Sequence, residues 1–111
     1  MFPDWLDLPE GYLVQDWMQW QRGKIVADKI IKHPELIDLA VQRLRSRGEN
    51  LLRAELEWLG LLEGSRPDEI SAILEDDGPE GQRLRSSSPF HGSTFITAEE
   101  NDHVRKRAYP W

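Results

Sequence analysis

The chain has 111 residues, 39 % of them hydrophobic and 31 % charged, with a net charge of −6 and no cysteine. That length carries one core of ordinary size and not comfortably two, and the missing cysteines exclude a disulfide framework, a thiolate nucleophile and a cysteine-based zinc site. Charge is uneven: residues 1–80 hold 17 acids against 9 Lys/Arg, giving −8, and residues 81–111 hold 3 against 5, giving +2. A body of that sign opposes phosphates, which excludes non-specific nucleic-acid binding and favours a protein partner with a basic surface.

The opening MFPDWLDLPEG carries three acids and no base, the reverse of a secretory or mitochondrial leader. No apolar run approaches the ~20 residues of a membrane span. A soluble, cytoplasmic protein is expected. Residues 1–10 interleave Phe2, Trp5, Leu6 and Leu8 with Asp4 and Asp7 between Pro3 and Pro9, the pattern of a docking segment.

In 12–32, Leu13, Val14, Trp17, Met18, Trp20, Ile25, Ala27 and Ile31 share one broad helical arc, while Val26 and Ile30 fall outside it. The helix is therefore expected to be covered on more than one side, with Gly23 marking either a close neighbour or a weak point. It must stop before Pro34, which suits the first turn of a second helix. There Leu36, Ile37, Ala40, Val41 and Leu44 form a stripe, and Arg43, Arg45 and Arg47 crowd the end where the dipole favours cations. Gly48 ends it.

Residues 50–63 are predicted helical, with Asn50 as N-cap, Leu51, Leu52, Trp58, Leu59 and Leu62 inward, and Gly64 closing the helix. Ser65 is the expected cap of a short helix through DEISAILED, the two helices forming a hairpin. A brief turn of helix follows Gly78–Pro79 near Gln82–Leu84. Thr94–Ile96 is a candidate extended piece. Thr97-Ala98-Glu99-Glu100 is a capping box that opens a last helix running to about Ala108. The fold class is all-α, a small bundle of about five helices in one domain.

Catalytic signatures are thin. Ser86, Ser87, Ser88 and His91 supply residue types for a nucleophile–base pair, but no G-x-S-x-G elbow surrounds them. His33 and His103 read as solvated. Glu75-Asp76-Asp77 diverges around a helix end and lacks the spacing of a calcium loop. DEISAILEDD carries five acids and no base, which disqualifies it as a DNA-reading helix. No metal and no cofactor is expected.

RLRSSSPFHG, residues 83–92, is the most distinctive stretch. Arg83 and Arg85 suit phosphate or carboxylate, while Ser88-Pro89 must leave the helical region, Phe90 can plug a core and Gly92 permits a bend. An architectural role is favoured.

Together with HPEL…A…RL at 33–44, I-x-x-I-L-E-D at 70–76 and T-A-E-E at 97–100, the L-R-x-S-x-P-F-x-G spelling of 84–92 resembles a group of small bacterial helical proteins found near toxin–antitoxin or mobile-element genes. The resemblance implies a small regulator or inhibitor that binds protein. His91 stands where that group is expected to carry a small residue.

The sequence thus points to a non-catalytic, antitoxin-like binding protein, with a mobile-element-encoded inhibitor occupying a nucleic-acid channel as runner-up and a Ser88/His91 hydrolase third. The candidate partner-binding residues are Trp5, Trp20, Arg83, Arg85, Phe90 and Trp111. Self-association is a further option.

Overall fold

A computed structural model describes residues 14–108. Trp5, Trp111 and the expected docking segment 1–10 lie outside the described residues. The described chain is all-α: α1 (Val14–Lys32), α2 (Glu35–Arg45), a 3-10 turn (Gly48–Asn50), α3 (Arg53–Gly64), α4 (Pro67–Glu75), α5 (Pro79–Arg85) and α6 (Ala98–Ala108). Among them, no helix is long and apolar enough to cross a membrane.

Helix α1 is the axis of the molecule. It packs most extensively on α4, and also on α6, α5 and α2. This is why Val26 and Ile30, off the main apolar arc, are as buried as Ala27 on it. Ile31, on that arc, instead points to solvent. Two clusters result. The larger joins Val26 and Ile30 of α1 to Ile37 and Leu44 of α2, Trp58 of α3, and Ile70 and Leu74 of α4. The smaller packs Trp17, Met18 and Trp20 against Val104 and Ala108 of α6.

Gly23 is the point of closest approach between α1 and α4. A Cβ there would stand 2.6 Å from the Leu74 carbonyl oxygen and 2.8 Å from Cδ of Arg85. The helix tolerates glycine at this position because no side chain fits.

The carbonyls at the end of α4 have no partner within their own helix, and two other elements supply donors. Trp20 Nε1 donates to Glu75 O at 2.9 Å. Arg85 Nη1 donates to Leu74 O at 3.2 Å and also to Asp76 O. The Asp76 carboxylate then turns outward to start α5, accepting the N–H of Gly78 at 2.9 Å and of Gly81 at 3.1 Å. Gly81 is required here as well, since its Cβ would lie 2.2 Å from Asp76 O. The acidic run 75–77 is thus partly a structural joint.

Helix starts differ from expectation in an instructive way. Asn50 belongs to the 3-10 turn, and α3 begins after Leu52, whose N–H is accepted by Glu55 at 2.9 Å. Ser65 does not cap α4; Arg66 occupies that place, its N–H accepted by Glu69 at 2.8 Å. Only Thr97 makes the reciprocal box, with Thr97 N–H to Glu100 at 2.9 Å and Glu100 N–H to Thr97 Oγ1 at 3.1 Å. A glutamate at the third helical position is the common device, and the residue ahead of it varies. Two further expectations fail. Leu52 is exposed, because the later start of α3 leaves it outside the core. Helices α3 and α4 do not form a packed hairpin, as α3 rests on α2 and α4 on α1.

Glycine positions give a pair of opposite expectations. Gly23→Ala gains helix propensity of about 1 kcal/mol but overpacks the α1–α4 contact, which costs about 1–3 kcal/mol, so a net loss of stability is expected. Gly60→Ala, on α3 where a Cβ meets nothing within 4 Å, should stabilise by about 0.5–1 kcal/mol. Chemical denaturation of the two variants beside the parent chain checks both signs.

Candidate functional site

The stretch 83–92 is held in one conformation by its own hydrogen bonds and by three other elements. Ser86, Ser87 and Ser88 N–H groups continue the end of α5 by bonding to Gln82, Leu84 and Arg85 carbonyls. The Ser86 hydroxyl donates to Arg83 O at 2.6 Å, and Ser88 Oγ accepts the Phe90 N–H at 3.1 Å. From α2, Arg43 donates to His91 O at 2.6 Å and to Thr94 Oγ1 at 3.3 Å, with its guanidinium 4.9 Å from the centre of the Phe95 ring. From α1, Lys29 donates to Phe95 O at 2.8 Å and pairs with Glu100. Gly92 sits at φ 90°, a conformation that side-chain-bearing residues rarely adopt. Its carbonyl then accepts both the Phe95 and the Ile96 N–H. Thr94–Ile96 is therefore a tight turn, and the extended piece expected there does not form.

This bracing drives Phe90 into the core. Its ring meets Trp58 edge-on at 5.9 Å and Phe95 edge-on at 5.3 Å, both arrangements favoured by the ring quadrupole. Trp58 Nε1 is satisfied by Leu84 O at 2.8 Å. Three helices and the loop thereby meet around one aromatic row.

The residues singled out from sequence are consequently dispersed. Trp20, Phe90 and Arg85 are each only 5 % exposed and are engaged in packing or in capping α4. Arg83 is exposed and clamped, donating to Glu57 of α3 through two nitrogens at 2.9 and 2.8 Å and pairing also with Glu80. Hydrogen bonding to Arg83 holds both carboxyls below their ordinary pKa.

Two surface features emerge that the sequence reading did not single out. The first is a cleft of about 290 Å³ between α1, the end of α4 and the loop. Gln19, Arg22 and Val26 form one wall, Leu74 and Arg85 the floor, and Ser88, Phe90 and His91 the other wall. A shallower groove continues past Arg22 and His91 toward Asn101. Arg22 Nε donates to Asn101 Oδ1 at 2.8 Å, and burial lowers the pKa of its guanidinium. Ser88 and His91 share this cleft, yet among the described residues no hydrogen bond joins them and no carboxylate lines it to orient an imidazole.

The second feature is a row along the outer side of α3. Leu52, Leu56, Gly60 and Gly64 recur every four residues, and all four are exposed. Leu52 and Leu56 are 67 % and 55 % accessible. The glycines have open space where a Cβ would be. Ion pairs Arg83–Glu57 and Arg45–Glu63 border the row. An i, i+4 amphipathic search for the core cannot reveal such a row, because it looks for apolar residues that face inward.

Neither a family model, nor a curated protein, nor a solved structure matches this chain.

Two measurements follow from the geometry. Phe90→Ala removes the centre of the aromatic row and is expected to cost about 3–5 kcal/mol, a large share of the stability of a domain this size, read as a drop in urea midpoint. Acid should act through Glu100. Burial raises its pKa, but the bonds from Lys29 and Thr97 prevail and hold it below the ordinary value. The carboxylate therefore contributes stability above the unfolded-state pKa and loses it as pH falls through the folded-state pKa. The urea midpoint should decline as pH is lowered through the carboxylate range, and less steeply in Glu100→Gln. An equal slope in the two proteins would assign the acid sensitivity to other carboxyls.

Proposed function

We propose that this chain is a non-catalytic helical binding protein that engages a protein partner with a basic, partly apolar surface and regulates or neutralises it in an antitoxin-like manner. The observation that carries this reading is the α3 row. Two leucines a helical turn apart lie open to solvent, followed on the same line by two glycines with nothing above them. Apolar side chains next to a bare stretch of helix backbone suit the close approach of another helix or an extended segment.

Electrostatics supports the same reading. Glu57 and Glu63 flank the row, and Glu49 lies just ahead of it, exposed. Arg83 and Arg45 offset the first two through intramolecular pairs, so a basic partner could compete for carboxylates already in place. Exposed pairs of this kind contribute little to folding, about 0–1 kcal/mol each. Exchanging one for an intermolecular pair therefore costs the fold little. Affinity would come from the leucines, and orientation and association rate from the carboxylates.

The test uses the full chain as bait in its native host, with captured proteins identified by mass spectrometry. A Leu52→Asp/Leu56→Asp double variant should keep the parent's helical signal and thermal midpoint. It should lose the specific partner, with affinity falling about tenfold or more. The purified partner's activity should fall in proportion to added parent protein. Capture of the same partner by the double variant at parental strength refutes the α3 reading, and unchanged partner activity at excess refutes neutralisation.

A further inference from the structure

Of the 17 acidic residues among the described residues 14–108, none lines the cleft between α1 and the loop, and none lines the groove that continues from it. By contrast, the two grooves alongside α6 carry Asp28 and Glu100 in one and Glu99, Glu100 and Asp102 in the other. In the cleft the charged groups are two arginines, Arg22 and Arg85.

Arg22 differs from half of the ten arginines among the described residues. Arg45, Arg47, Arg66, Arg83 and Arg105 each pair with a carboxylate. The hydrogen-bond partner of Arg22 is the neutral amide of Asn101, taken up by Nε. Its terminal nitrogens are left for another acceptor. A partly desolvated guanidinium without a counter-ion is costly, and an anion offsets that cost with charge-assisted bonds.

The remaining polar atoms have matching vacancies. Ser88 Oγ accepts the Phe90 N–H, which leaves the hydroxyl proton to donate. Gln19 Oε1 is buried and accepts no hydrogen bond. Between these groups the wall is apolar, formed by Val26, Leu74 and Phe90. The volume, about 290 Å³, lies at the small end of ligand pockets. It leaves room for about one ring with a short anionic substituent.

We propose that this cleft is a binding site for a small organic anion, whose carboxylate or phosphate group lies between Arg22 and the Ser88 hydroxyl and whose apolar body rests on Val26, Leu74 and Phe90. The site is separate from the α3 row, since no residue of α3 lines it. It goes beyond the partner-binding function, and either can fail without the other.

The full-length protein, labelled with ¹⁵N, is titrated with benzoate, phenyl phosphate, inorganic phosphate and benzylamine. Benzoate or phenyl phosphate is expected to give saturable amide shifts centred on Gln19, Arg22 and residues 88–91. The tighter of the two identifies the natural headgroup as carboxylate or phosphate ester. Inorganic phosphate should bind at least about tenfold more weakly, because it lacks the apolar body. Benzylamine, of similar shape and opposite charge, should not saturate. Arg22→Gln should weaken the organic anion about tenfold or more while keeping a dispersed spectrum. Arg22→Met, which keeps an apolar stem and removes the charge, serves the same comparison if the glutamine variant does not fold. Arg105→Gln, on α6, should bind as the parent does. The proposal is overturned by any of four results: no saturation with either organic anion, inorganic phosphate binding as tightly as they do, benzylamine binding equally, or Arg22 variants that bind unchanged.

Discussion

The joint where Gly23, the end of α4 and Arg85 meet governs the rest of the structure. Helix α1 and helix α4 approach so closely at Gly23 that a single methyl group would touch the Leu74 carbonyl. That contact places the last carbonyls of α4 within reach of Trp20 on one side and Arg85 on the other. A helix C-terminus carries a partial negative charge, so a buried guanidinium is well matched to it. Arg85 is thereby fixed by backbone oxygens, and it is the residue from which the serine run departs.

Everything downstream inherits this geometry. Because α5 ends on a fixed arginine, the following loop starts from a fixed point and direction. Phe90 then lands between Trp58 and Phe95, and Arg43 and Lys29 hold the return of the chain toward α6. Gly23 also lines the cleft, beside Val26 and Arg85.

Much of this was legible in the sequence where the signal is local. The all-α class, the stop before Pro34, the Thr97–Glu100 box and the inward role of Phe90 all follow from residues within a few positions of one another. The double covering of α1 was legible too, from Val26 and Ile30 lying off the arc. What escaped depends on partners distant in the chain. Trp20 and Arg85 have side chains suited to gripping another molecule, and only the fold shows that they grip carbonyls 55 and 11 residues away. Asn50 and Ser65 are good caps by type, yet Glu55 and Glu69 set the helix starts two residues and one residue later. The α3 row and the acid-free cleft are properties of surfaces, and surfaces are assembled from several elements. A sequence read in order shows the acids as a total, not the place from which they are missing.

The central position of α1 also has a kinetic side. Besides α2, its partners come from the second half of the chain, and its side-chain bonds to Glu75, Asn101 and Phe95, with the bond from Arg107 to Gln21, span 55 to 86 residues. Helical proteins usually fold fast because their contacts are local. Among the described helices, the first to be synthesised is the one that must wait longest for cover. As the chain leaves the ribosome, Trp17, Trp20, Val26 and Ile30 stay unshielded until α4 and α6 have emerged. The order of synthesis and the order of packing run in opposite directions, which makes α1 the segment of a nascent chain most in need of a chaperone.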